Sequence, residues 1–60
     1  MTTTDQIAEA FTEYLENETK FTEKGNSAAG TRARKALLEL AKLAKVRRAE
    51  ISETKASKQG

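Results

Sequence analysis

Basic side chains are the residues of this chain best placed to do chemistry. Arg32, Arg34, Lys35, Lys42, Lys45, Arg47 and Arg48 fall within seventeen positions, and Lys24 stands just before a glycine-containing turn. Guanidinium groups form paired hydrogen bonds to phosphate or carboxylate, and lysines add point charge. Arg32, Arg34 and Lys35 follow the start of a helix, where free backbone N–H groups also favour anions. Rows of this kind bind polyanion backbones without reading base edges. An ordinary basic helix kept in water by its lysines has the same composition. The absence of glutamate on the Arg34–Lys42–Lys45 side favours binding.

Other chemistry has little support. With no His and no Cys, the common general base and the best thiol nucleophile are missing. The same absence excludes disulfides and a cysteine or histidine metal centre. Glu9, Glu13 and Glu16 share a helical face that reads as solvated, since bundle metal sites call for a histidine three residues after a glutamate. Gly25 and Gly30 do not fit a phosphate-loop spacing. The expectation is a protein that is not an enzyme and uses no cofactor and no metal.

Two helices must position the basic row. Ile7, Phe11, Tyr14, Leu15 and Phe21 form an apolar stripe at helical spacing, with Thr3 and Gln6 at capping-box spacing before it. Asp5 and Glu9 suit the first turns of that helix. Glu18 breaks the stripe, which predicts looser packing near it. All the aromatic residues lie in this segment, and core packing is the role expected of them rather than base stacking. Lys24-Gly25 reads as a helix stop, and Asn26 or Ser27 as the cap of the next helix.

The second helix carries Ala33, Ala36, Leu37, Leu40, Ala41, Leu43, Ala44 and Ile51 on one side. Arg34, Lys35, Lys42 and Lys45 lie opposite, with Leu38 and Val46 near them, and Arg47 and Arg48 flank the stripe. Gly30 inside this helix costs about 1 kcal/mol relative to alanine. It therefore implies a close approach by another backbone or a ligand, or a late helix start. The expected architecture is all-α: helix 1 over about 4–24, helix 2 over about 27–54 running antiparallel to it, and a disordered tail over 55–60.

Sixty residues make one small domain whose core supplies no more than about 3–5 kcal/mol alone. The hairpin is expected to enlarge that core by association, as a helical bundle or coiled coil, with a homodimer first. The oligomer core assigned from the pattern is Ile7, Phe11, Tyr14, Leu15, Phe21, Leu37, Leu40, Leu43, Ala44 and Ile51.

Charge is divided along the chain. Residues 1–24 hold six carboxylates against two lysines, a net −4, whereas residues 25–60 hold nine basic residues against three glutamates, a net +6. Such a split fits a polyanion-binding half, two halves that attract each other, or both. No apolar run approaches the roughly 20 residues of a membrane span, and Met1-Thr2-Thr3-Thr4-Asp5 lacks the basic and apolar parts of a signal peptide. The expected setting is the cytoplasm, with no membrane and no small-molecule substrate.

Residue order adds a resemblance. The run Glu23-Lys24-Gly25-Asn26-Ser27-Ala28-Ala29, then Arg32-Ala33-Arg34, then Leu43-Ala44-Lys45-Val46-Arg47-Arg48-Ala49-Glu50-Ile51-Ser52, resembles the chlamydial linker-histone-like nucleoid protein family and its short bacterial and phage versions. The resemblance covers roughly residues 20–55, with helix 1 similar only in character. It implies binding to double-stranded DNA with little sequence preference, chromosome condensation, and a location at the nucleoid, or in a virion or infected cell for a phage version. The basic positions that match are Lys24, Arg32, Arg34, Lys45, Arg47 and Arg48. Chlamydial members continue into a long Lys- and Ala-rich tail, whereas residues 55–60 here carry only Lys55 and Lys58.

The competing reading is a helical protein-interaction module with no nucleic-acid role. Under it, Arg32, Arg34, Arg47 and Arg48 are engaged by Glu13, Glu16, Glu18 or Glu23.

Overall fold

A computed structural model describes residues 1–59 as two α-helices, α1 (Thr3–Lys24) and α2 (Ser27–Gln59). They pack antiparallel as a hairpin whose Cα trace measures 53 × 15 × 15 Å. The all-α hairpin expected from the pattern is what forms.

The start of α1 is capped one residue earlier than the sequence suggests. Thr2, rather than Thr3, is the N-cap, and its hydroxyl accepts from the Asp5 N–H at 3.1 Å. The Asp5 carboxylate accepts from the Thr2 N–H at 3.1 Å, which completes the reciprocal box. Hydrogen bonding from Thr2, its backbone N–H first, holds the Asp5 carboxyl below its ordinary value. Thr3 is thereby released to donate to Glu50 Oε2 at 2.8 Å, tying the first turn of α1 to α2.

The turn follows the glycine expectation. Gly25 takes φ 64° and ψ 26°, the left-handed region that costs glycine nothing. Its N–H donates to Phe21 O at 3.0 Å, and the Asn26 N–H donates to Lys20 O at 3.3 Å. Asn26 then caps α2, its side-chain oxygen accepting from the Ala29 N–H at 3.1 Å.

Beyond residue 54 the chain stays helical as far as Gln59, where the sequence reading places a disordered tail. Lys55, Ala56, Lys58 and Gln59 are good helix formers, and neither proline nor glycine interrupts them. Gly60 lies outside the described residues.

The interior of the hairpin is built from small side chains. Ala10, Ala29, Ala33 and Ala36 are its buried apolar residues, with Ala29 fully covered. Alanine lets the two helix backbones approach closely, and that approach pushes larger side chains to the flanks. Of the residues assigned to an oligomer core, Ile7, Tyr14, Leu40 and Leu43 are half-buried in the hairpin. Phe11, Leu15, Phe21, Leu37, Ala44 and Ile51 are exposed.

Gly30 has a specific neighbour. A Cβ at this position would stand 2.6 Å from Phe21 Cδ1 and 2.9 Å from Cε1. The close approach implied by the sequence is therefore made by an aromatic ring rather than by a backbone or ligand.

Candidate nucleic-acid interface

The basic residues divide among three surfaces of the hairpin. Arg34, Lys42 and Lys45, at i, i+8 and i+11, share the side of α2 turned away from α1. All three are exposed, as is Leu38 between them at 58%. Arg34 and Lys35 border a shallow depression with Thr31 and Leu38. From Arg34 to Lys45 the row runs about 16 Å along the helix axis. Between Arg34 and Lys45 no carboxylate occupies this face: Glu39 falls elsewhere on the wheel, and Glu53, on the same side as Lys42, lies about two turns beyond Lys45.

One flank of the hairpin mixes charges. Arg32 and Lys35 line a groove there with Glu13, Ala36 and Glu39. Arg32 is engaged within the hairpin, its Nε donating to Asn17 Oδ1 at 2.9 Å. Asn17 in turn donates to the Glu13 carbonyl at 2.8 Å and is only 6% exposed. A buried amide with both ends satisfied fixes the register of two helices against sliding.

The sequence pattern marks Glu18 as the break in the stripe and does not single out Asn17. Glu18 is half-buried on the flank, where it accepts from the Thr22 hydroxyl at 2.6 Å. Asn17 is the polar residue that points inward. The available signal is spacing: Asn17 stands one heptad after Ala10 and two after Thr3, all of which meet α2.

The remaining basic residues lie toward the margins. Arg47 pairs with Glu50 at 3.1 Å, the ion pair present among the described residues. Glu50 accepts from both Thr3 and Arg47, and these bonds hold its carboxyl below the ordinary value. Lys24 is exposed in the last turn of α1, and Arg48 is exposed on α2. Because α2 begins at Ser27, Arg32 falls in its second turn rather than at the free N–H groups of the first.

The opposite flank is apolar. Phe21, Gly30, Ala33 and Leu37 line an open groove of about 360 Å³ there, together with Glu18 and Arg34. Phe11 and Tyr14 lie one heptad before Glu18 and Phe21, and their rings stack with centroids 6.5 Å apart. Ala44 and Ile51 lie one and two heptads beyond Leu37. Phe11 (51%), Phe21 (49%) and Leu37 (47%) are half exposed to water in the isolated hairpin.

The fold is an all-α hairpin that joins an acidic helix to a long basic one and leaves an apolar flank uncovered. The chain belongs to the family of Histone H1-like protein Hc1, whose family model matches residues 1–57. The match takes in α1 as well as α2, and so reaches further than the residues 20–55 that carry the resemblance in sequence. DNA binding and nucleoid association fit that family and this fold. No curated protein and no solved structure matches the chain. No helix among the described residues is long and apolar enough to cross a membrane.

Proposed function

We propose that this protein is a histone-like, nucleoid-associated protein that binds double-stranded DNA through phosphates, with little preference for sequence. The observation that carries this reading is the outer face of α2, where Arg34, Lys42 and Lys45 stand exposed with no carboxylate among them. Lys24, Lys35 and Arg48 extend the positive surface at its margins. Arg32 and Arg47 contribute less directly, because Asn17 and Glu50 already hold them. The protein acts as a homo-oligomer, with a dimer the simplest form, and it needs no cofactor, metal or small-molecule substrate. Its place is the nucleoid, or the DNA of a phage-infected cell.

A protein-interaction module without a nucleic-acid role would dock its basic helix on an acidic partner, or have the arginines of α2 consumed by the carboxylates of α1 within one hairpin or from a neighbouring copy. Against consumption within one hairpin, the ion pair among the described residues lies within α2, between Arg47 and Glu50.

Fluorescence anisotropy of a labelled random-sequence duplex, titrated at several salt concentrations, tests the proposal. Three phosphate contacts give a log–log salt slope of about −2.7 per hairpin. Charge reversal at Arg34 and Lys42 is expected to abolish binding and leave helicity unchanged. A flat salt response, or binding that survives the reversal, would refute phosphate binding by this face.

A further inference from the structure

We infer that a second copy of this chain covers the apolar flank with its turn at the same end, each α1 lying on the partner's α2, and that the dimer holds two DNA duplexes on opposite sides. The bridging step rests on the DNA-binding reading above; the dimer geometry does not.

The flank calls for a cover. Phe11, Phe21, Leu37 and Ile51 are each about half exposed along one side of a rod 53 Å long and 15 Å wide. Over the 22 residues of α1, about 33 Å, the two-helix side presents about 500 Å², of the order of one partner's share of a standard interface. A soluble monomer seldom leaves so long a continuous apolar strip in water. The hairpin's own interior is four alanines and one asparagine, so most of the apolar surface available for burial is on this flank.

Charge selects the occupant and its direction. Two hairpins can meet by this flank in two twofold arrangements. With the turns at opposite ends, α1 lies on α1 and α2 on α2. That places six carboxylates against six on one side and nine basic residues against nine on the other. With the turns together, the acidic helix of each copy lies on the basic helix of its partner. Glu18 lines the apolar groove, one heptad after Phe11 on the same side of α1. In the turn-together dimer it faces the partner's basic helix rather than the partner's acidic one, and the Arg34–Lys42–Lys45 row stays outside the contact. The exposed Phe11 ring of α1 also then lies near the level of the small, exposed Ala44 on the partner's α2.

The functional consequence follows from where the basic face points. The Arg34–Lys42–Lys45 face is turned away from α1, at roughly a right angle to the apolar flank. In the turn-together dimer the two α2 helices sit at diagonal corners of a four-helix bundle. Their basic faces then look in opposite directions, separated by about 20 Å of protein. One dimer can lie between two duplexes. The reversed arrangement would put both basic faces on one side and coat a single duplex.

Two measurements on the full chain decide this. The chain contains no cysteine, so Ala28→Cys places one spin label on each copy beside the turn, on the flank away from the interface. Pulsed dipolar spectroscopy is expected to give a label separation near 20 Å for turns together, against about 40 Å for turns opposed. The longer distance, or no dipolar coupling because the protein is monomeric, overturns the geometry. For bridging, a biotinylated duplex on beads should capture a free fluorescent duplex when protein is added, and lose it when excess protein saturates both. Leu37→Glu is expected to abolish the dipolar coupling of the Ala28→Cys protein and the capture, while circular dichroism still reports a helical chain. Duplex binding by anisotropy without capture overturns bridging alone. No anisotropy change overturns the DNA-binding reading and bridging together, and the spin-label distance still decides the dimer.

Discussion

Replacing Gly30 by alanine sets two effects of comparable size against each other. Alanine in a helix interior is favoured over glycine by about 1 kcal/mol. The new methyl group, however, would stand 2.6 Å from Phe21 Cδ1 and 2.9 Å from Cε1. Carbon atoms pack at about 3.5–4.0 Å, so the ring must retreat by about 1 Å or swing outward. Phe21 is 49% exposed, so roughly half of its surface is covered in the hairpin. That half is about 100 Å², worth up to about 2.5 kcal/mol if the ring is fully displaced. Re-exposing most of the covered ring outweighs the propensity gain, so Gly30→Ala is expected to destabilise by about 1 kcal/mol. In a domain of this size the melting temperature falls by about 4–8 °C. Thermal unfolding followed by circular dichroism, at one fixed protein concentration, reads this directly. The decisive control is Phe21→Ala. In that background the ring is gone, and Gly30→Ala should stabilise by about 1 kcal/mol, a reversal of sign. If Gly30→Ala is neutral or stabilising beside an intact Phe21, the ring moves without cost and its packing does not explain the glycine.

Gly25→Ala should cost about 1–2 kcal/mol, because φ 64° forces a Cβ against the neighbouring carbonyl; a chemical denaturation midpoint measures it. Asn17→Leu removes the acceptor for Arg32 and the buried amide that sets register, and should increase slow exchange broadening in NMR spectra of the helix pairing rather than simply lower helicity. Asp5 and Glu50 both have carboxyls held below their ordinary values of 3.8 and 4.5. For such groups the stabilising contribution is present above those values and is lost as pH falls through the lower folded-state values. The Thr2–Asp5 cap and the Thr3–Glu50 tie should therefore weaken together on acidification, with carboxyl-carbon NMR titrations placing both midpoints below 3.8 and 4.5 respectively. Thr2→Ala should cost about 1 kcal/mol of helix stability, and Thr3→Ala should leave the cap intact while raising the Glu50 midpoint.

Much of the architecture is legible in residue order because its causes are local. Lys24-Gly25-Asn26 stops one helix and caps the next through backbone conformation and one side-chain bond, interactions that span three or four residues. The two apolar stripes and the split of charge between the halves are likewise one-dimensional properties. The order of residues around Gly25 and Arg32–Arg34 also points to the family that the match over residues 1–57 shows.

What the tertiary structure decided is which apolar residues meet inside the hairpin and which charges are already occupied. A stripe over a hundred degrees wide does not say which of its edges faces the neighbouring helix. Here the alanines at 10, 29, 33 and 36 take the interior, because close backbone approach rewards small side chains, and Phe11, Phe21 and Leu37 turn to a flank. The same close approach buries Asn17 and brings its amide to Arg32, fifteen residues away in sequence. It sets Thr3 opposite Glu50 across forty-seven residues. Helical periodicity already sets Arg34 on the side of α2 opposite the apolar stripe, about 200° around the helix from Arg32. Only the packing of α1 against α2 gives Arg32 its partner, Asn17, inside the hairpin.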